Sequence, residues 1–316
     1  MSGLALVAEC NKRVGSGHAV EMSNLLLRLS SIECRAYLTR GTPQAILRSF
    51  RARPDVIRDL SVHSLKAVAA DARARGFKAA ALNALSITPA MVKALKSGGL
   101  KVAALSVNRA PGADLSVRLG AENMILSARF AALASRARSH RGPVKTLMIL
   151  MGGTDSSGST AHLVRALAGL TPSMRKIVVV GPNFARPAEL TRTLTAAHDR
   201  SFVVARDPAD LPGLMARADA AITLGSDTSL ELACAGTPTL LMEEAPHERR
   251  QARLLARKGC GLFLGSKREA SAKRLLSALR RLDDPARRAR MARAGRAFID
   301  GRGAERLAAR LKRLAS

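Results

Sequence analysis

Ten short apolar runs, each followed by an amphipathic stretch, constrain this chain more than any other feature. Continuous runs of this length, alternating with helix-like segments, are the pattern of βα units around a parallel sheet buried on both faces. The first series is GLALVAE (3–9), CRAYLT (34–39), KAAAL (78–82) and KVAALSV (101–107). The second is TLMILM (146–151), KIVVVG (176–181), SFVVAR (201–206), DAAITLG (219–225), TPTLLME (237–243) and GLFLG (261–265). Between them, SRARSHRGPVK (135–145) has no apolar periodicity and holds Gly142 and Pro143, which marks a junction. A chain of 316 residues exceeds what one core usually fills, so two Rossmann-like domains are expected. The expected bounds are 1–140 and 144–300, with 301–316 as a closing helix. After Pro285 the pattern is helical only, and no repeat of about 20–50 residues points to a solenoid.

With 47% hydrophobic and 24% charged residues, the composition is that of a globular protein rather than a disordered one. No apolar run reaches the roughly 18 residues of a membrane-spanning helix. The start, MSGLALVAEC, lacks a basic n-region and a small-residue cleavage site; it reads as a first strand, and a cytoplasmic location is expected. Cys10, Cys34, Cys234 and Cys260 form no C-x-x-C pair, which argues against zinc and suits a reducing compartment.

Charge is the one extreme: the net value is +28, and residues 249–316 hold 21 Lys or Arg against 5 Asp or Glu. Such a field favours phosphates, nucleic acid or anionic lipid. Yet the bases recur at helical spacing among Ala and Leu, as in RRLDDPARRARMARAGRAF, and the chain has one Tyr, no Trp and 3% aromatics. Stacking platforms for bases are nearly absent, so solvated helix faces are expected before nucleic-acid binding. A membrane surface or an acidic acceptor is the partner class left to the basic C-terminal helices.

Three glycine-bearing loops each follow an expected strand and open an expected helix: NKRVGSGHAVEMSNLL (11–26), GGTDSSGSTAHLV (152–164) and GSDTSLELACAG (225–236). Small residues let the backbone approach a ligand, and the free N–H groups and dipole of the next helix favour an anion there. Taken singly, Gly, Ser, Thr and Asp are also ordinary turn and cap residues, and Asp155 and Asp227 read so first. The dinucleotide pattern G-x-G-x-x-G is not met, because no third glycine follows Gly15 and Gly17.

The order of these loops, with ILMGGTDSSGST (149–160), ADAAITLGSDTSLELACAGTPTLLM (218–242) and APHERRQARLLARKGCG (245–261), resembles the UDP-sugar hydrolases of pseudaminic acid biosynthesis. The likeness runs nearly the whole chain. It is shared more loosely with the lipid II-forming N-acetylglucosaminyltransferase and with spore-coat polysaccharide proteins. The resemblance implies a GT-B-like α/β fold, two Rossmann-like domains with parallel sheets facing across a cleft and the nucleotide held mainly by the C-terminal one. It implies His18 as the base that activates water beside the anomeric carbon, a role suited to imidazole at a helix start. Gly225, Ser226, Asp227, Thr228 and Ser229 would hold the diphosphate, and Glu231 would accept from the ribose. Gly15, Gly17, Gly152, Gly153, Thr154, Asn83, His247 and Glu248 would line the sugar side. A leaving diphosphate needs no metal, and neither metal nor cofactor is expected.

Several positions depart from that family. Glu21 stands where an arginine is usual, Asn83-Ala84-Leu85 where Asp-x-Tyr is usual, Ser106-Val107 in place of paired aspartates, and His247-Glu248 in place of Asn-Gln. His18 also reads as a packing residue at a helix start, and His247 as a cap. A buried helix glutamate without a partner is costly, which favours a ligand for Glu231. Three functions stay open: a nucleotide-sugar hydrolase, a glycosyltransferase using the same donor, and a silent nucleotide-sugar or partner-binding protein.

Overall fold

The computed structural model describes residues 3–11, 14–50, 52–136 and 139–316. Lys12 and Arg13 of the first glycine loop, and Ala137 and Arg138 of the junction stretch, lie outside the described residues. The chain divides into two compact units, Met1–Ala128 with Gly301–Ser316, and Arg129–Asp300.

The first unit holds six strands: β1 (Gly3–Ala8), β2 (Glu33–Thr39), β3 (Asp55–Ile57), β4 (Ala79–Asn83), β5 (Lys101–Ser106) and β6 (Leu115–Arg118). Its helices are α1 (Gly17–Leu26), α2 (Gln44–Arg48), α3 (Val62–Ala74) and α4 (Pro89–Lys96). All pairings are parallel, in the order β3-β2-β1-β4-β5-β6. Alternation along β1 sends Leu4, Leu6 and Ala8 to a cluster with Met22 and Leu25 of α1, and Ala5 and Val7 to one with Leu65, Val68 and Leu95. Both faces of the sheet are therefore covered, and each such buried Leu or Val contributes about 1.5–3 kcal/mol.

The second unit begins inside α5 (Ala128–Ala134), at Arg129, and there the Phe130 carbonyl accepts the Cys234 thiol at 3.5 Å. Its strands are β7 (Thr146–Leu150), β8 (Arg175–Val180), β9 (Phe202–Arg206), β10 (Ala220–Leu224), β11 (Thr239–Glu243) and β12 (Gly261–Ser266). Its helices are α6 (Ser159–Leu167), α7 (Pro187–Ala197), α8 (Leu211–Arg217), α9 (Asp227–Ala235), α10 (Pro246–Arg257), α11 (Ala272–Leu282) and α12 (Pro285–Phe298). The order β12-β11-β10-β7-β8-β9 repeats the topology of the first sheet. Arg288 of α12, fully buried, donates to the carbonyls of Leu282, Arg141 and Gly142 and so pins the end of the junction stretch inside this unit.

The last helix, α13 (Gly303–Ala315), belongs to the first unit, where Leu307 and Leu311 join the cluster beneath α1 and Glu305 pairs with Arg28 at 2.6 Å. All ten expected runs are strands. The edge strands β3 and β6 add to them: β3 has three residues, and in β6 only Val117 is buried, so neither presents a continuous apolar run. No helix among the described residues is long and apolar enough to cross a membrane.

Candidate functional site

In a doubly wound sheet, ligands bind beyond the carboxyl ends of the strands where the chain reverses its direction of growth. That point lies between β1 and β4 in the first unit and between β7 and β10 in the second. The three glycine loops leave from β1, β7 and β10, so sequence order and topology converge on these two edges.

In the first unit the chain turns after β1 through Gly15, whose φ of +77° is left-handed and whose N–H donates to the Asn11 carbonyl at 2.9 Å. Ser16 caps α1 without a side-chain hydrogen bond, Gly17 opens the helix, and His18 follows, half-buried with its Nδ1 buried. Across the switch point, Ala8 of β1 lies opposite Asn83 of β4. Asn83 is fully buried, and its Nδ2 donates to Glu21 Oε2 at 2.8 Å and to the His18 carbonyl at 3.5 Å. Glu21 and Asn83 therefore act as a pair: a carboxylate on the helix faces an amide on the strand. The pair forms a polar link between α1 and β4 beside His18. At the same edge Leu85 and Val107 are 52% and 54% exposed, while Ser106 is buried and accepts from the Asn108 N–H at 3.4 Å.

In the second unit the β7–α6 turn closes on itself. Asp155, buried and at φ +43°, accepts from the N–H groups of Ser159 and Thr160, both at 2.9 Å. Burial raises its carboxyl pKa against the opposing pull of these bonds. Asp155 is thus the turn and cap residue its type suggested, and the first N–H groups of α6 are already occupied. Ser157 and Ser159 hydroxyls donate to Glu244, which ties this turn to the β11–α10 turn. Gly152, at φ +78°, Gly153 and Thr154 stay at the surface, and a Cβ on either glycine would meet nothing within 4 Å.

The neighbouring β10–α9 turn is built the opposite way. Ser226 caps α9 with no side-chain hydrogen bond, and its Oγ is buried without a partner among the described residues. Gly225 lets the turn lie against α10, since a Cβ there would stand 2.1 Å from the Glu248 carbonyl. Gln251 of α10 secures the back, donating to the Ser226 carbonyl at 2.6 Å and to Ser229 Oγ at 3.2 Å. Sequence reasoning missed Gln251; its place about one helical turn beyond His247 and Glu248 was the available signal. Asp227 and Thr228 occupy the first turn, and Asp227 sets a carboxylate on the favourable end of the helix dipole. Glu231, one turn on, has no hydrogen-bond partner among the described residues; burial first and the Asp227 charge second push its carboxyl up to about 8.

On α10, Glu248 is buried and accepts from the N–H groups of Glu244 and Ala245 at 2.8 and 3.1 Å. Its carboxylate therefore caps its own helix. His247 is exposed at the second position of the helix. Glu243, buried at the end of β11, is held by Arg249 Nε at 2.8 Å. Among the described residues no group of three or more His, Cys, Asp or Glu is placed to hold a metal ion.

No family model matches the chain. A curated relative, the spore coat polysaccharide biosynthesis protein SpsG of Bacillus subtilis (strain 168), is 26% identical over 172 residues, 54% of this chain and 50% of the relative. The match thus spans half the relative's length. Among solved structures, MurG of Acinetobacter baumannii is similar with a TM-score of 0.70 at 13% identity, over 98% of this chain and 99% of that one. The UDP-GlcNAc 2-epimerase of Neisseria meningitidis, bound to UDP-GlcNAc, is similar with a TM-score of 0.65 at 12% identity, over 98% and 100%. At these identities the likeness is one of fold: the chain has the two doubly wound parallel sheets of the GT-B architecture.

Proposed function

We propose that this chain is an enzyme of surface-glycan biosynthesis that acts on a nucleotide-linked sugar, held by its diphosphate at the start of α9. The observation that carries the reading is the β10–α9 turn. A helix N-terminus without a side-chain cap at a switch point, a buried hydroxyl without a partner on Ser226, and a partnerless carboxyl on Glu231 together offer donors to an anion and an acceptor to ribose hydroxyls. The relative's role in polysaccharide biosynthesis and the UDP-GlcNAc bound by the epimerase support this class of substrate.

His18, at the second position of α1, is the group we assign as base. In the hydrolytic reading it takes a proton from water as the water oxygen bonds to the anomeric carbon; the bond from that carbon to the diphosphate breaks, and UDP leaves with its added charge stabilised by the α9 N–H groups. The product sugar has inverted anomeric configuration. In the second reading an acceptor hydroxyl replaces water. Its support is the edge of β4 and β5, where Leu85 and Val107 replace polar groups of the resembling hydrolases and are exposed. A third reading, binding without turnover, rests on the same replacements.

UDP release from a panel of UDP-linked amino and deoxy sugars, measured with and without acceptors, separates the three. Release in water alone supports hydrolysis, acceptor-dependent release supports transfer, and a thermal shift with no release supports binding alone. Substitution His18→Ala is expected to lower turnover by about a hundredfold or more with UDP affinity near wild type. Unchanged turnover in that variant removes the assignment of the base.

A further inference from the structure

Away from both switch-point edges, α2 together with Phe50 and Arg53 borders a recess of about 360 Å³ that opens to solvent and is lined by Gln44, Leu47, Arg48, Phe50 and Arg53. From this recess we infer a second ligand site, for a small organic anion that carries a phosphate or carboxylate on an apolar or planar body. The inference does not rest on the nucleotide reading.

The floor and rim differ in chemistry. Leu47 and Phe50 are 7% and 6% exposed and join the main cluster of the first unit, so they form a fixed apolar floor. Arg48, Arg53 and Gln44 are exposed at the rim, and none has a hydrogen-bond or ion-pair partner among the described residues. The carboxylate nearest in sequence to Arg53 is Asp55, and Arg35 already holds both of its oxygens, with Nε at 2.5 Å. No acidic residue lines the recess. Two guanidinium forks without counter-charges over an apolar floor suit an anion that two arginines grip while its body covers Leu47 and Phe50. The volume falls in the range of small-molecule sites, about 300–1,000 Å³. The segment is also fixed to the helix that carries His18, since Ser23 Oγ of α1 donates to the Ser49 carbonyl at 3.2 Å.

A free metabolite and a lipid headgroup share this chemistry, and the test separates them. Phenyl phosphate is titrated into the full chain by calorimetry, beside inorganic phosphate and vesicles of phosphatidylcholine with phosphatidylglycerol. The expected result is saturable binding of phenyl phosphate, tighter than that of inorganic phosphate, and weakened about tenfold or more in the double variant Arg48→Gln/Arg53→Gln. A control variant of equal charge loss on the other unit, Arg192→Gln/Arg200→Gln, is expected to bind as wild type. All four positions are exposed, so the melting temperature, expected to stay within about a degree of wild type, certifies folding. Absent saturation by phenyl phosphate and vesicles alike, or equal weakening in both double variants, overturns the site; vesicle binding alone, lost in Arg48→Gln/Arg53→Gln and kept in the control, assigns it to a lipid headgroup.

Discussion

Two turns of the second unit leave adjacent strands of one sheet and solve the same problem in opposite ways. The β7–α6 turn fills its helix start with Asp155, whose carboxylate accepts from Ser159 and Thr160. The β10–α9 turn leaves its helix start without a side-chain cap and keeps an unpartnered hydroxyl and carboxyl beside it. Both turns look alike as strings of Gly, Ser, Thr and Asp. Their difference teaches that a glycine loop becomes a candidate anion site only when its own side chains do not answer its N–H groups, and that a self-satisfied loop is the stabler, ligand-indifferent one.

The largest expected effect comes from the glycines. Valine at Gly225 would drive its Cβ to 2.1 Å from the Glu248 carbonyl and force α9 and α10 apart. Gly225→Val is expected to cost about 3 kcal/mol or more in chemical denaturation and to remove UDP binding. Gly152→Ala faces open space and meets only the penalty of φ +78°, about 1–2 kcal/mol. Equal losses at the two glycines would break the contrast between a packed turn and an open one.

Next in size is the cap itself. Asp155→Ala leaves two N–H groups of α6 without their acceptor and is expected to cost about 1–2 kcal/mol, with UDP affinity unchanged. Glu231→Ala is expected to do the reverse: to weaken UDP about tenfold in calorimetry, the loss of one charge-assisted bond, while leaving stability equal or higher because a half-buried carboxyl without a hydrogen-bond partner has gone. If the Asp155 variant weakens UDP as much as the Glu231 variant does, the two turns serve one ligand and the contrast fails.

These outcomes bear on what the sequence could disclose. The parallel sheets were legible because strands such as LMIL and AAIT are buried on both faces and read as continuous apolar runs. The edges were not: β3 and β6 face water on one side and have too few residues to show a period. Gly225 was legible as a loop glycine, but its reason, the Glu248 carbonyl, lies 23 residues away in the chain. Glu21 and Asn83 read as two separate departures, since a hydrogen bond across 62 residues leaves no local trace. Glu248 hid its capping role for a similar cause: a glutamate three positions past a helix cap serves its own backbone as readily as a ligand, and only the bonds from the Glu244 and Ala245 N–H groups show the first of these.

The smallest expected effect is a slope. A carboxyl raised from 4.5 to about 8 by folding keeps its proton in the folded chain at pH values where the unfolded chain has released it. The folded state then binds more protons, so stability falls as pH rises between those values. Without ligand, the melting temperature is expected to decline from pH 5 to pH 8, and Glu231→Gln is expected to flatten the decline by a few degrees, on the scale of about 2–4 °C per kcal/mol for a unit of this size. Asp155 is raised in the same direction, so part of the slope should survive in the Glu231 variant and vanish when Asp155→Asn is added. UDP should act only on the first part: ribose hydroxyls that donate to Glu231 favour its ionised form, and saturating UDP is expected to reduce the wild-type slope but not that of Glu231→Gln. A UDP effect of equal size in both proteins would place the nucleotide elsewhere than on α9.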